Sequence, residues 1–323
     1  MALPVDSRTL GDVAASAVDN YLPGLIDLFF DSNALWVRLA SKERVILDGG
    51  DQIRQAILYD RMNGGSYAGL DTFDIARRQT KTVMRFDWSQ YYAGLTIDGL
   101  TILKTSGSGT KVLNLVEEEM ETARLTLAED LGTDLHGDGT GNGGKALVGL
   151  VAAVDSGTNV ATYGGIGRND GSVQATAVQG NLNTTGGPLS LALINTGMGS
   201  ATIQPQRPDL LETTQAMWDR FWERVQPAQR TPSGPGFDDL ARAGFTAINF
   251  NGSAVVVDSH VAAGNVWGLN TDTFKLIIHK DRDFSFDGFK TPTNQDALIG
   301  QILFAGQLVC VSPRLNVRFT GLT

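Results

Sequence analysis

The sequence has little of what covalently cross-linked, membrane-spanning and nucleic-acid-binding proteins use. Cys310 is the single cysteine, so no disulfide can form within the chain, which suits assembly in a reducing cytoplasm. No apolar run approaches the roughly 18 residues that a membrane span needs, and no basic-then-apolar leader opens the sequence. The formal net charge of −9 provides no cationic field for nucleic acid or an anionic membrane. We therefore expect a soluble, unsecreted protein with no membrane partner.

Histidine is also scarce, and its spacing excludes the usual metal and nucleophile motifs. The three histidines, His136, His260 and His279, are far apart in the sequence. None has the paired acid or cysteine spacing of a zinc site or of a nucleophilic triad. We interpret each as a surface or structural residue, and we predict no metal, no cofactor and no catalytic site.

Glycine, by contrast, is abundant, with 38 residues in the chain against a general usage of about 7%. Much of it falls in three clusters: Asp48-Gly49-Gly50, Asn63-Gly64-Gly65 and the run from Gly137 to Gly144. Because glycine tolerates positive φ and sharp reversals, such clusters indicate hinges and loop tips.

The run between Gly139 and Lys145 (GTGNGGK) has the glycine and lysine spacing of a phosphate-binding loop. Ala146 stands where that loop needs a hydroxyl residue for Mg²⁺, and a helix precedes the run where a strand is required. Three oxygen-bearing residues alternate there as in a calcium loop: Asp138, Thr140 and Asn142. Gly149 occupies the position of the bidentate glutamate of an EF-hand. A flexible hinge is therefore favoured over a nucleotide or calcium site.

Residues 43–88 have the pattern of a long two-stranded hairpin. We predict an outbound strand over 43–60, a glycine-rich tip over 61–73 and a return strand over 77–88. The return strand alternates, with one face formed by Met84, Phe86 and Trp88 and the other by Lys81, Arg85 and Asp87. An isolated two-stranded ribbon is only marginally stable in water, so we expect the hairpin to lean on another subunit.

Residues 111–135 (KVLNLVEEEMETARLTLAEDLGTDL) have the pattern of one long amphipathic helix. Its apolar residues recur at three- and four-residue spacing and form one stripe: Val112, Val116, Met120, Ala123, Leu127 and Leu131. Four glutamates crowd the remaining surface: Glu117, Glu118, Glu119 and Glu121. Such a helix would be roughly 37 Å long at about 1.5 Å per residue. Gly132 permits a break in its last turn, and the glycine run after His136 ends it.

The rest of the chain alternates helix and strand, which is typical of an α/β layer. We predict, in order, a helix near 145–154, a loop-rich stretch over 156–187, a helix that begins at Pro188, a strand over 207–211 and a helix over 214–225. The last two segments, GQILFAGQLVCVS and RLNVRF, are expected to be strands that join the long helix.

In this order, the pieces resemble the major capsid protein of tailed bacteriophages, which has the Hong Kong 97-type fold. The resemblance also rests on an N-terminal arm and on two segments, GKALVGLVAAVDSGTNVATYGGIGR and AVVVDSHVAAGNVWGLNTDTFKLIIHKDRDFSF. It implies an α+β fold of four parts. These are an N-terminal arm (1–40), an extended β-hairpin loop (41–94), a peripheral domain with the spine helix (95–136 and 284–323) and an α/β axial domain (137–283).

The resemblance implies a structural protein and not an enzyme. Copies of the chain would form hexamers and pentamers, and these would assemble in the host cytoplasm into the icosahedral head of a virion. The head would enclose double-stranded DNA without sequence-specific binding. Because the sequence opens with no long charged coiled-coil prefix, we expect a separate scaffolding protein, or none, and we expect a portal. Two alternatives stay open: an encapsulin-like compartment of the same fold, and a nucleotide hydrolase that uses the loop between Gly139 and Lys145.

In the phage family, the extended loop lies across the spine region of the adjacent subunit. The resemblance therefore implies that cations of the loop meet the acidic surface of the helix. The residues expected at this subunit interface are Arg61, Tyr67, Arg77, Arg78, Lys81, Glu117, Glu118 and Glu121. One exposed ion pair contributes only about 0–1 kcal/mol, but pairs repeated over a shell select register and partner.

Overall fold

The structure is a computed structural model that describes residues 34–42, 44–101, 109–225 and 248–323. Its helices are α1 (Ala34–Lys42), α2 (Gly109–Leu135), α3 (Gly141–Gly144), α4 (Leu150–Ala153), α5 (Val173–Val178), α6 (Leu191–Ser200) and α7 (Gln215–Val225). Its strands are β1 (Arg44–Leu47), β2 (Ile53–Leu58), β3 (Lys81–Phe86), β4 (Ser89–Asp98), β5 (Thr162–Tyr163), β6 (Ile166–Gly167), β7 (Asn181–Asn183), β8 (Leu210–Thr213), β9 (Ile248–Phe250), β10 (Ser253–Val257), β11 (Val266–Leu269), β12 (Phe274–His279), β13 (Ser285–Phe286), β14 (Ala297–Cys310) and β15 (Val317–Phe319). None of the helices in these ranges is both long enough and apolar enough to cross a membrane.

The first sheet carries the long helix. Its strand order is β1-β12-β14-β13, and β4 also pairs with β14. The β4–β14 pair is antiparallel and runs from Ser89 opposite Gly306 to Asp98 opposite Ala297. Alternate residues of β4 are buried, among them Leu95, and α2 packs against this strand. The sheet and α2 thus enclose the larger of two apolar cores.

The second sheet has the order β7-β15-β11-β8-β10-β9 and mixes parallel with antiparallel pairs. Its central strand β8 is buried at every position, as expected for a sheet that is covered on both faces. α6 packs against β15 and α7 against β10, and together they close a second apolar core. The predicted helix over 214–225 is confirmed by α7, and β8 lies slightly C-terminal to the predicted strand over 207–211.

The last strand joins a different sheet from the predicted one. RLNVRF is expected beside the long helix, but β15 pairs with β11 and with β7 in the second sheet. A short turn at Pro313–Leu315 redirects the chain after β14. Val317 and Phe319 are then buried in the second core, and the burial of their apolar surface stabilises this pairing. The division of the chain into four parts stays a prediction.

The long helix α2 spans 27 residues and confirms the predicted helix over 111–135. Five residues of the predicted apolar stripe are buried: Val116, Met120, Ala123, Leu127 and Leu131. The side chain of Val112 lies outside the described part of the structure. Gly132 does not break the helix, because α2 continues to Leu135. A Cβ at Gly132 would come within 2.5 Å of His260 Nε2, so glycine allows the close approach of that ring.

The hairpin is shorter than predicted, because the first part of its outbound strand belongs to the first sheet. β2 and β3 pair antiparallel, with Ile53 opposite Phe86 at the base. β1 instead pairs in parallel with β12, and its Val45 packs against the larger core. Gly49 and Gly50 turn the chain between β1 and β2 at φ values of 122° and 123°, which non-glycine residues rarely adopt.

Most of the predicted N-terminal arm (1–40) lies outside the described residues. Its C-terminal part begins α1, in which Leu35 and Trp36 are fully buried in the larger core. Arg38 of the same helix reaches Asp209, with its Nη1 atom 2.9 Å from a carboxylate oxygen. This part of the chain is therefore held against the body of its own subunit.

Candidate subunit interface

The base of the hairpin is anchored on the same chain. Phe86 is buried, and its ring lies 5.2 Å from the ring of Tyr163 in β5. The Arg85 amide donates a 2.9 Å hydrogen bond to the carbonyl of Gly164. Gly164 has a φ of +57°, and a Cβ there would come within 2.6 Å of the Met84 Cβ. The base of the hairpin therefore leans on its own subunit, and support of the hairpin by another subunit stays a prediction.

The tip of the hairpin, residues 59–80, has little packing of its own. Large apolar side chains in and beside the tip are exposed: Leu58, Met62, Tyr67, Leu70, Phe73, Ile75 and Val83. The rings of Tyr67 and Phe73 contact each other edge to face at 5.0 Å. Leu70 and Ile75 are 102% and 91% exposed. Such a concentration of exposed large apolar side chains is typical of an interaction site.

The predicted cations of the loop lie in the tip or directly beside it in the sequence. Arg61, Arg77, Arg78 and Lys81 are all exposed. Arg78 approaches Asp60, but its Nη1 atom is 4.0 Å from the carboxylate, at the outer limit of an ion pair. Asp71 and Asp74 of the tip are exposed too, and Asp71 accepts a 2.8 Å hydrogen bond from the amide of Ala68. The tip thus presents arginines together with apolar surface, and its aspartates balance their charge.

The register of the hairpin also places two arginines side by side, which sequence analysis did not single out. Arg54 and Arg85 are direct cross-strand partners, and both are exposed. Like charges directly opposite each other destabilise a sheet, so this pair favours a partner that brings negative charge. With the exposed Lys81, the two arginines make the outward face of the hairpin basic. The alternation already placed Lys81 and Arg85 on this face, and the strand register adds Arg54.

The acidic half of the predicted interface is on α2. The side chains of Glu117 and Glu118 lie outside the described part of the structure. Glu119 and Glu121 are half-buried on the helix. The pairing of these glutamates with loop cations of a second copy stays a prediction.

A second candidate site lies where α2 ends against the second sheet. His136 and His260 have nearly parallel rings with centroids 6.1 Å apart. His136 Nε2 is 3.4 Å from Oε2 of Glu212 in β8, and His260 Nδ1 is 2.8 Å from Oδ1 of Asp258. The fold thus joins two histidines that are far apart in the sequence, and their interpretation as structural residues stays a prediction.

Burial and charge act in opposite directions on the pKa values of this cluster. Burial lowers the pKa of His136, but the hydrogen bond and charge of Glu212 outweigh it, and the net shift is upward. The hydrogen bond to Asp258 raises the pKa of His260. Burial raises the pKa of Glu212. Burial also acts to raise the pKa of Asp258, but the hydrogen bonds from His260 and the charges of His136 and His260 together outweigh it, and the net shift is downward. Such strong mutual perturbation is typical of functional sites, although ion-pair networks also produce it.

The same cluster contains the ligand types of a metal site. His136, Asp258 and His260 each offer one ligand atom, and these atoms lie within 4.8 Å of one another. Sequence analysis predicted no metal site, because it searched for ligands close together along the chain. The only signal available beforehand was Asp258 two residues before His260.

The glycine-rich run after α2 forms an irregular turn. Asn142 and Gly143 are in the left-handed region, at φ values of 48° and 70°. The amide and hydroxyl of Thr140 both donate to Oδ1 of Asp138, at 2.9 and 2.7 Å. Together with the base of the hairpin, the run lines a groove of about 880 Å³. Because the run follows a helix and Asp138 is engaged within its own turn, this geometry favours the hinge interpretation.

Arg168 organises the segment on which the hairpin base rests, and sequence analysis did not single it out. It is fully buried and donates hydrogen bonds to the carbonyls of Val178 at 2.8 Å and Ala153 at 2.9 Å. Its guanidinium lies 5.0 Å from the ring centroid of Tyr163, which in turn contacts Phe86. A buried arginine of this kind has no distinguishing signal in a single sequence.

Comparison of the sequence with family models and with curated proteins finds no match. Solved structures do match. The capsid asymmetric unit of cyanophage A-1(L) aligns at 15% identity over 87% of this chain and 91% of that one, with a TM-score of 0.64. The capsid of the native GTA particle aligns at 8% identity over 89% and 91%, with a TM-score of 0.58. The SrpI encapsulin of Synechococcus elongatus PCC 7942 aligns at 9% identity over 88% and 87%, with a TM-score of 0.55. The chain therefore has the mixed α+β fold of phage capsid proteins.

Proposed function

We propose that this chain is a major capsid protein whose copies assemble as hexamers and pentamers into the icosahedral head of a virion. The phage capsid fold, present over most of the chain, supports the proposal. In this role the protein is structural and not an enzyme. The head encloses double-stranded DNA without sequence-specific contacts, which agrees with a net charge of −9. Assembly takes place in the host cytoplasm with a separate scaffolding protein and a portal.

The exposed tip of the hairpin is the observation that carries the proposal. Its large apolar side chains are exposed in the described part of the subunit, Leu70 and Ile75 above all. The hairpin base is nevertheless anchored by Phe86 and by the Arg85 amide, so the tip is held out from the body. A projecting apolar element on a shell-forming fold is best covered by another copy of the same chain.

The charges of the loop and of the long helix indicate which surface of the neighbouring copy contacts the hairpin tip. We infer that Arg61, Tyr67, Arg77, Arg78 and Lys81 of one copy contact Glu117, Glu118 and Glu121 of the next. The cross-strand arginines Arg54 and Arg85 add to the same basic face. Each pair contributes little by itself, so apolar burial by the tip provides most of the affinity and the charges set the register.

An encapsulin-like compartment is the second candidate, because the SrpI encapsulin has the same fold. The two candidates share the shell and differ in its content. Particles from the natural source would contain nuclease-protected double-stranded DNA if the chain is a phage capsid protein. Particles with protein cargo and no DNA would favour the compartment.

Electron microscopy of the expressed full chain tests shell formation. We expect closed shells from the wild-type chain. Deletion of residues 62–71 removes exposed apolar surface from the tip, so it should leave a folded subunit that closes no shell. Normal shells from the deleted chain would show that the tip is not the intersubunit element.

A further inference from the structure

The most unusual group of side chains outside the hairpin is the cluster at the end of α2. It contains two histidines and two carboxylates, His136, His260, Glu212 and Asp258. The side chains of Glu212 and Asp258 are fully buried, and the two histidines are 3% and 5% exposed. Charged groups are almost never buried in this way unless they are paired or coordinate a metal. The question is therefore whether these four side chains only pair with one another or also bind a metal ion.

The hydrogen bond of His136 to the backbone defines which nitrogen faces the cluster. Nδ1 lies 3.0 Å from the carbonyl oxygen of Gly132. A carbonyl only accepts hydrogen bonds, so Nδ1 carries the proton and donates it. Nε2 then points toward Glu212, with Oε2 at 3.4 Å. In a neutral ring this places a lone pair against a carboxylate, which is unfavourable unless a proton or a metal ion lies between them.

This arrangement is the one that metal-binding histidines adopt. Such a histidine donates its other ring N–H to a backbone carbonyl or a carboxylate, which orients the ring. Gly132 provides the carbonyl for His136. Asp258 accepts at Oδ1 from both the amide and Nδ1 of His260, at 2.9 and 2.8 Å. The two rings are thus oriented before any ion binds.

Two carboxylate oxygens in the cluster are left for a ligand. Oδ2 of Asp258 and Oε1 of Glu212 are buried and have no hydrogen-bond partner among the described residues. Leaving a buried charged oxygen unpaired costs free energy, and a cation removes that cost. The ligand atoms of His136, Asp258 and His260 lie within 4.8 Å of one another, so small side-chain shifts would bring them onto one ion.

The charge and ligand types favour one class of ion. Glu212 and Asp258 together carry two negative charges when ionised, which one divalent cation neutralises. Imidazole nitrogen with carboxylate oxygen suits zinc and similar first-row ions, whereas calcium and magnesium prefer sites built from oxygen alone. Glu129 is exposed at the solvent side of the cluster, with Oε2 3.3 Å from His260 Nε2.

We propose that His136, Asp258 and His260 bind a divalent first-row transition-metal ion, zinc in the first instance, with Glu212 as the adjoining carboxylate. The ion would connect the C-terminal end of α2 to the ends of β8 and β10. It would therefore stabilise the contact between the long helix and the second sheet. This inference does not depend on shell assembly.

Cobalt and zinc titrations of the full chain, without a histidine tag and freed of metal by a chelator, test the site. We expect one Co²⁺ per chain, detected by its visible absorption, and a higher melting temperature with Zn²⁺. X-ray absorption at the zinc edge should show two imidazole ligands. Failure of the wild-type chain to bind, or binding through fewer than two imidazoles, would overturn the proposal and leave two protonated histidines as the counterions of the carboxylates.

Matched variants locate the site. His136→Gln, His260→Gln and Asp258→Asn should abolish stoichiometric binding, and Glu212→Gln should weaken it about 10- to 100-fold. His279→Gln is the control, because His279 lies against Trp88, outside the cluster, and should bind like wild type. Equal binding by His136→Gln and wild type would refute the assignment. If the variants do not fold, the number of imidazole ligands found by X-ray absorption on the wild-type chain decides whether the proposal stands.

Discussion

Residues 155–180 and residues 59–80 are both largely irregular, yet they are stabilised in different ways. In the first segment, the buried carboxylate of Asp155 accepts hydrogen bonds from the amides of Gly157, Asn159 and Val160. In the same segment, Arg168 donates hydrogen bonds to the carbonyls of Val178 and Ala153. In the second segment, the described hydrogen bonds are local and the large apolar side chains are exposed.

The difference in hydrogen bonding and burial separates an irregular segment that stabilises its own subunit from one that is available for contact with another subunit. Buried backbone groups need partners, and residues 155–180 obtain them from two charged side chains of the same chain. The tip at 59–80 keeps its backbone in solvent and its apolar side chains uncovered. Changes in the first segment should therefore reduce the stability of the subunit, whereas changes in the second should affect assembly alone.

The largest expected effect on the subunit comes from Arg168→Met. The variant leaves the buried carbonyls of Val178 and Ala153 without a donor, so we expect a loss of about 3–5 kcal/mol in the free energy of unfolding. Urea denaturation followed by circular dichroism measures it. Arg220→Met, at an exposed position on α7, is the matched control and should stay within about 0.5 kcal/mol of wild type. Equal losses of stability in the two variants would contradict the claim that Arg168 stabilises residues 155–180.

Asp155→Asn should have the next largest effect, about 2 kcal/mol at neutral pH, because an amide accepts these hydrogen bonds less well than a carboxylate. Burial alone would raise the pKa of Asp155, but the hydrogen bonds from Val160, Gly157 and Asn159 outweigh it and lower the pKa. A lowered pKa stabilises the fold above the unfolded value of about 3.9, and this contribution is lost as pH falls through the folded pKa.

The difference in stability between wild type and Asp155→Asn should therefore shrink as the pH falls below about 4. Denaturation series at several pH values check this expectation. A difference that grows toward low pH would mean that the carboxylate destabilises the segment.

The paired substitution Leu70→Ser and Ile75→Ser should change the free energy of unfolding by less than about 0.5 kcal/mol, because both side chains are already in water. The same variant should lose closed shells in electron microscopy. Val173→Ser, an exposed apolar position outside the tip, should assemble like wild type. A large loss of subunit stability in the tip variant would contradict the contrast between the two segments.

Charge reversal at Arg77, Arg78 and Lys81 to glutamate should have the smallest effect on the subunit. All three side chains are exposed, so we expect no measurable change in unfolding. Assembly should weaken most at low salt, since screening reduces the repulsion from the acidic helix as ionic strength rises. Light scattering at two salt concentrations measures this. Assembly that is unchanged at both would show that these cations face water in the shell.

Sequence reasoning predicted those elements whose pattern is local. The stripe from Val116 to Leu131 is buried as its three- and four-residue spacing predicts. In the return strand, Met84 and Phe86 are buried while Lys81 and Arg85 are exposed, as the alternation predicts. The order of these elements was also enough to suggest the phage capsid fold, because few folds combine a long hairpin, a solitary long helix and an α/β layer in that order.

The chain's own periodicity and turn residues thus determined which segments become helix, strand or tip, since neighbouring residues decide those preferences. The tertiary structure alone decided which segments meet. It placed β1 beside β12, β15 in the second sheet, Arg54 opposite Arg85, and His136 against His260. These contacts depend on strand register and on the burial of surfaces that are distant in the sequence, so no local pattern contains them.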